Sequence, residues 1–249
     1  MTQPGAGQRT VALSIVVPAY NEAANIGPVV DEVLGTFSRN AWLAGAEIVL
    51  VDDGSRDGTG QAMDALARRH DGIVVVHHSA NRGFGAALAS GFAASHGVAV
   101  GFVTADGEVP SDQIIDLYRA LEDNDLVLSR RQRTVGVDRR VLTWGFDLTA
   151  RLILGFWLDK DVGIYLVRGS AVRAMTFQSS TGLMNLEMML QLRAMGGRTV
   201  YAPGFTLVRP RLSGQSKVTN LRTVLRTLWE MVKLRVALIR RRTPDGGLR

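Results

Sequence analysis

Four stretches in the first half of the chain are near-continuous apolar runs rich in Val, Ile and Leu: VALSIVVP at 11–18, AEIVLVDD at 46–53, GIVVVHH at 72–78 and VAVGFVTAD at 98–106. Their length and β-branching predict strands buried on both faces. Mixed polar and apolar stretches between them predict helices over about 23–38, 58–69, 84–95 and 111–122, and DLVLS at 125–129 predicts a fifth strand. Strands alternating with helices give an α/β fold with a mainly parallel central sheet, right-handed crossovers and flanking helices.

The second half is less regular. The pattern predicts a helix over 139–155, a turn and strand within LDKDVGIYLV, and a helix over 183–195. RTVYAP and FTLVRP read as two short strands, RLSGQSK as a polar loop, and 219–242 as a long basic helix. No repeat and no linker divides the chain. One domain is expected over 11–218, followed by the helix, with loose tails at 1–10 and 243–249.

Bulk properties narrow the partners. The chain has 249 residues, 46% hydrophobic and 21% charged, enough for one sizeable core. Cysteine is absent, which excludes disulfides and thiolate metal sites. Net charge is +6, and only three of the 29 basic residues are Lys, so the cations are chiefly Arg forks suited to phosphate and carboxylate. They concentrate in 130–140 and 209–242. Aromatics are not interleaved with them and no nucleic-acid motif is present, so an anionic membrane surface or a phosphorylated substrate fits better than nucleic acid. No apolar run reaches the roughly 18 residues of a membrane span, and the N-terminus lacks the apolar core of a signal. The expectation is a cytoplasmic protein, with peripheral contact at the inner face of the plasma membrane.

In open parallel sheets ligands bind at the carboxyl ends of strands, and the polar clusters fall there. VVPAYNE (16–22) supplies Pro18, Tyr20 and Glu22, an aromatic ring and a carboxylate able to hold a nucleobase and ribose. VDDGSRDGT (51–59) places Asp52 and Asp53 at the next strand end, within residue types that also make turns and helix caps. NRGFGAAL (81–88) reads equally as a tight helix start at Gly83 that lets the backbone approach a ligand and as a purely structural turn. TADGEVP (104–110) reads either as a helix-capping loop or as a place where Asp106 and Glu108 meet a divalent ion and ligand phosphates. His70, His77, His78 and His96 have no partners at metal-ligand spacing and receive no chemistry.

Taken together, these stretches resemble the inverting family-2 glycosyltransferases of the GT-A fold, and within them the dolichol-phosphate mannose synthase group. The resemblance covers about residues 12–218. VPAYNE and VDDGSRDGT are close to the first two nucleotide-binding motifs, NRGFGAAL shares the third's asparagine and glycines, and TADGEVPSDQI aligns with the metal motif. LSRR (128–131) is similar to the family's Ser-Arg, and RLSGQSK carries its Arg-x-x-Gly-x-Ser-Lys. Three departures stand out: Thr104 replaces the first metal-motif Asp, Glu108 replaces a Gln, and Val162, Ile164 and Tyr165 replace Ser, Phe and Arg in the segment after Asp159.

The resemblance implies hexosyl transfer from a nucleoside-diphosphate sugar to a polyprenyl phosphate, with Mg²⁺ or Mn²⁺ at Asp106 and Glu108. Asp106 is then the central catalytic residue, holding metal and donor. Donor contacts are expected from Pro18, Tyr20, Glu22, Asp52, Asp53, Gly83, Ala105 and Asp106, and acceptor-phosphate contacts from Arg130, Arg139, Arg140, Arg211, Ser216 and Lys217. Two other readings stand beside it. One is a transferase acting on a hydroxyl of a soluble acceptor, with Glu187 as base; the other is a nucleotide-sugar-binding protein without turnover. For the terminal helix, apolar positions at Leu221, Val224, Leu225, Leu228, Val232, Val236 and Ile239 beside a basic face fit both a membrane-lying helix and one packed on its own domain.

Overall fold

The computed structural model describes residues 11–131, 148–155, 162–206, 208–210, 212 and 221–240. Seven strands form one sheet in the order β3-β2-β1-β4-β6-β5-β7. β1 (Leu13–Ala19), β2 (Glu47–Asp52), β3 (Ile73–His77) and β4 (Ala99–Phe102) are all parallel to their neighbours among themselves. The crossovers between them are α1 (Ala23–Ser38), α2 (Thr59–Arg69) and α3 (Phe84–Ala94). α4 (Gln113–Ala120) leads to β5 (Leu126–Arg131).

Alternation along the central strands feeds two cores. Leu13, Ile15 and Val17 of β1, with Ile48 and Leu50 of β2, join the cluster that contains Ile26, Val30 and Val33 of α1. Val16, Val49, Val51, Val100 and Phe102 join Leu88 and Phe92 of α3 on the opposite face. Covering both faces is what requires the unbroken apolar runs.

Later elements depart from expectation. β6 (Val162–Arg168) inserts between β4 and β5 and runs antiparallel to both. The stretches expected as two short strands form one, β7 (Thr199–Thr206), parallel to β5. β4 ends at Phe102; the Val103 amide still donates to the Val16 carbonyl (3.0 Å), and Thr104, Ala105 and Asp106 then leave the ladder as a loop. A helical segment at 148–154 (α5), a short helix α6 (Gly169–Arg173), α7 (Met184–Ala194) and α8 (Leu221–Arg240) complete the order. Met231 of α8 packs with Ala150 and Leu154 of α5 and with Leu183.

Candidate functional site

β1, β2 and β4 deliver the three acidic clusters to one end of the sheet. Ala19 pairs with Asp52 in register, and Asp53 donates its amide to the Ala19 carbonyl (2.9 Å). Pro18 is buried in this central strand. β4 pairing stops at Val16, so the missing proline N–H costs no ladder bond on that side. The chain then turns at Asn21 with φ 53°, a left-handed conformation that Asn tolerates. Its side chain accepts the Arg56 amide (2.8 Å), and the Asn21 and Glu22 amides donate to Ser55 Oγ and Thr59 Oγ1. Glu22 Oε2 accepts from Asn25 Nδ2 (2.6 Å), and Tyr20 sits half-buried beside it in sequence.

Asp57 ties the two turns together. Its carboxylate accepts the first amides of two helices, Ala23 (3.1 Å) and Thr59 (3.1 Å), where helix dipoles favour a negative charge. Burial acts to raise its pKa, but the Thr59 hydroxyl and the two amides outweigh it and hold the carboxyl below the usual range.

The two strand-end aspartates have different surroundings. Asp52 accepts the Ser55 amide (2.9 Å) on Oδ1 and faces His77 Nδ1 at 3.4 Å with Oδ2. Asp53, 3% exposed, takes three donors: His78 Nδ1 (2.7 Å) and the Arg82 amide (2.8 Å) on Oδ1, and the Gly83 amide (2.8 Å) on Oδ2. Gly83 therefore reaches the site through its amide on Asp53. At φ 102° a Cβ there would lie 2.5 Å from the Ser180 carbonyl, which is why glycine stands at this position. His78 is buried between Asp53 and Ser90 Oγ. Its partners are far away in sequence, so no spacing announced it. His77 bridges Asp52 and Asp64. The bond to Asp64 raises its pKa most, burial opposes that, and Asp52 adds to the rise.

At the third cluster, Asp106 is 8% exposed. Oδ1 accepts the Thr104 hydroxyl (2.6 Å) and the Glu108 amide (3.1 Å). Thr104 thus puts a hydrogen-bond donor where a second carboxylate was expected from the resemblance. Ala105 is buried in the core, so only its backbone faces the loop. Arg209, not anticipated from sequence, straps this loop: its amide donates to the Glu108 carbonyl (2.8 Å), its Nε to the Gly107 carbonyl (2.6 Å), and its guanidinium pairs with Glu32. The Leu212 amide adds a bond to the Asp106 carbonyl (3.1 Å), which brings Leu212 to the metal-motif loop. Among the described residues no three His, Asp or Glu side chains converge as a metal site. Asp106 and Glu108 nevertheless offer the oxygen donors a hard cation takes, and Mg²⁺ often uses one or two protein carboxylates plus ligand phosphates.

β5 runs in the same direction as β4, so Arg130 reaches the same end of the sheet, exposed and stacked over the Tyr201 ring at 4.4 Å. Ser129 is buried and donates to the Ile164 carbonyl. Glu187 is 7% exposed, and its oxygens accept the Gln178 and Ser179 amides (both 3.0 Å at their shortest). Arg139, Arg140, Arg211, Ser216 and Lys217 lie outside the described residues.

The profile of Glycosyl transferase family 2 matches residues 14–178, more than half of the chain. An undecaprenyl-phosphate mannosyltransferase of Micrococcus luteus is 28% identical over 247 residues, spanning 90% of this chain and 98% of that one. A dolichol-phosphate mannosyltransferase of Mycosarcoma maydis is 28% identical over 163 residues, 60% of this chain and 55% of its own. The match thus spans about half of the fungal enzyme. An undecaprenyl-phosphate 4-deoxy-4-formamido-L-arabinose transferase of Pseudomonas paraeruginosa is 38% identical over 137 residues, 53% of this chain and 38% of its own. Among solved structures, mannosyl-3-phosphoglycerate synthase of Rubrobacter xylanophilus superposes with TM-score 0.64 at 19% identity, over 94% of this chain and 78% of that one. A Pyrobaculum calidifontis mannosyltransferase solved with GDP-Man and Mn²⁺ gives 0.55 at 16%, over 92% and 74%. At such identities the likeness is one of fold, and the fold is GT-A.

Proposed function

The chain belongs to glycosyltransferase family 2, and from that premise we propose that it moves a hexosyl group, with inversion, from a nucleoside diphosphate to a polyprenyl phosphate. Tyr20, Glu22, Asp52 and Asp53 hold the nucleoside in this reading, with Asp53 set in place by the amides of the turn beside it. Asp106 and Glu108 would hold a divalent ion, Mg²⁺ or Mn²⁺, with the donor's phosphates supplying the remaining ligands. Such an ion offsets charge on the leaving diphosphate. Arg130 and the RLSGQSK cations Arg211 and Lys217, with Ser216 and one of Arg139 or Arg140, meet the acceptor phosphate as charge-assisted donors.

The state of Glu187 carries the choice of acceptor. A hydroxyl acceptor needs a base to remove its proton. Glu187, the carboxylate expected in that role, is buried and has its oxygens engaged by two backbone amides. A phosphate monoester has its second pKa near 6 and is largely a dianion at neutral pH, so it attacks without a base. The buried Glu187 and the exposed Arg130 both favour the phosphate.

The assay offers a short-chain polyprenyl phosphate beside the matching polyprenol, with a screened panel of nucleotide sugars and Mg²⁺ or Mn²⁺. Transfer to the phosphate alone is expected. Arg130→Ala should raise the acceptor KM by about tenfold or more, as loss of a charge-assisted bond predicts, with donor binding nearly unchanged. Transfer to the alcohol, lost in Glu187→Gln and intact in Arg130→Ala, would replace this reading with the hydroxyl-acceptor enzyme.

An acceptor of this kind resides in a membrane. No helix among the described residues is long and apolar enough to cross one. In α8, however, Leu225, Trp229, Val232, Val236 and Ile239 are exposed, with Arg226 and Lys233 beside them. That face suits peripheral contact with an anionic membrane.

A further inference from the structure

Four consecutive backbone amides, from Gln178 to Thr181, are taken by two carboxylates from two helices. Glu187 of α7 accepts the first pair. Glu230 of α8 accepts the second pair and both adjoining hydroxyls: Ser180 N (2.9 Å) and Oγ (2.7 Å) on Oε1, Thr181 N (3.2 Å) and Oγ1 (2.6 Å) on Oε2. Glu230 is 8% exposed and lies next to Met231, which packs in an apolar cluster. If the helix needed only an adhesive face, another apolar side chain would serve at lower desolvation cost. A carboxylate with four directional bonds fixes a backbone in one conformation.

The fixed backbone is in turn a platform. Ser180 O accepts the Gly85 amide at 2.9 Å. A Cβ on Gly83 or Gly85 would collide with the carbonyls of Ser180 or Thr181 at 2.5 and 2.4 Å, so the 83–85 turn lies directly on this segment. The far side of the same turn presents the Arg82 and Gly83 amides to Asp53. Arg226, one turn before Glu230, also reaches the Arg82 carbonyl at 3.5 Å.

We propose that Glu230 is a positioning residue of the donor site: it clamps the 178–181 segment, which supports the 81–85 turn, which orients Asp53 at the end of β2. The inference rests on the reading that the nucleotide sugar binds at these strand ends. It assigns α8 a task inside the active site in addition to any at a membrane.

Two conservative variants test it. Glu230→Gln keeps the size but turns one acceptor into a donor facing donors. Thr181→Val keeps the shape and removes one hydroxyl. Amide hydrogen exchange is followed in segments 79–86 and 176–184 of the full chain, and steady-state kinetics with donor and acceptor varied separately. Glu230→Gln should speed exchange in both segments and raise the donor KM about tenfold, with kcat and acceptor KM changed by less than about twofold. Thr181→Val should do the same to a smaller degree, and it carries the test if Glu230→Gln does not fold. A purely structural role predicts instead faster exchange in 176–184 alone, with 79–86 and the donor KM unchanged, and that result would overturn the proposal. Wild-type protein that binds no nucleotide sugar would overturn the donor-site reading itself; wild-type binding matched by both variants would overturn the Glu230 link alone.

Discussion

Thr104 decides what Asp106 can do. Its hydroxyl donates to Oδ1 at 2.6 Å and fixes how that carboxylate is turned in the loop. An aspartate at 104 would set two carboxylates side by side, and like charges that close resist joint ionisation unless a cation lies between them. Thr104→Asp should therefore lower the melting temperature in chelator and restore it with Mn²⁺, giving a larger metal-induced shift than wild type. Equal shifts in the two proteins would show that the ion, if bound, does not sit at this loop. A second residue-scale consequence concerns His77. Its pKa is raised, chiefly by Asp64 and with help from Asp52. The charged imidazolium then contributes stability that is complete below the unfolded value near 6.5 and is lost as pH rises through the folded value. The denaturation midpoint of wild type should exceed that of His77→Gln at pH 5.5, with the gap closing toward pH 8.5. A gap independent of pH would show that the ion pairs contribute nothing. His77 is 45% exposed, so the effect is small and screened by salt.

At the scale of elements, legibility followed locality. β1 and β2 were plain because a strand covered on both faces must be apolar throughout, and α1 fell within its expected bounds because a polar turn opens it. β4 was expected to run on to Asp106 because Val103 and Ala105 are apolar; both are indeed buried in the core, yet once the Val103 amide has reached the Val16 carbonyl (3.0 Å) the chain leaves its partners. Burial continued where hydrogen bonding stopped, and an apolar pattern reports only burial. β7 was split in two at Pro203 and Gly204. The structure passes through both because Leu128 pairs with Tyr201 while Arg130 pairs with Phe205, so the irregularity absorbs the extra residues on an edge strand that tolerates proline. The reversal of β6 was invisible, since direction depends on which strand it lies beside, and its pairing partners are distant in sequence. The site shows the same division. Asp52, Asp53 and Asp106 were found from position at strand ends. His78 and Arg209 were not, since their partners Asp53 and Glu32 stand far from them in the chain.

For the molecule as a whole, α8 is the element with two neighbours to satisfy. Its inner face carries Glu230 and Met231 into the protein, and its outer face carries Leu225, Trp229, Val232, Val236 and Ile239 at intervals of three and four residues. Trp229 is 60% exposed and Lys233 lies over its ring at 5.6 Å, an arrangement of aromatic and cation that suits a headgroup boundary. A helix packed only on its own domain has no reason to keep this spacing outward. Full-length protein should co-sediment with vesicles containing anionic lipid and much less with neutral ones. Binding should weaken as salt rises, because screening removes the part due to Arg226 and Lys233 and leaves the apolar part. Trp229→Ser with Ile239→Ser should cut partitioning at least about tenfold, since two large apolar side chains each contribute on the order of 1.5–3 kcal/mol when fully buried and these enter only in part. Both changes lie on the outward face, so the melting temperature and the donor KM should stay near wild type. Vesicle binding unaltered by the pair would remove α8 as the membrane contact, while Glu230 would keep its bonds to Ser180 and Thr181 beneath the 81–85 turn.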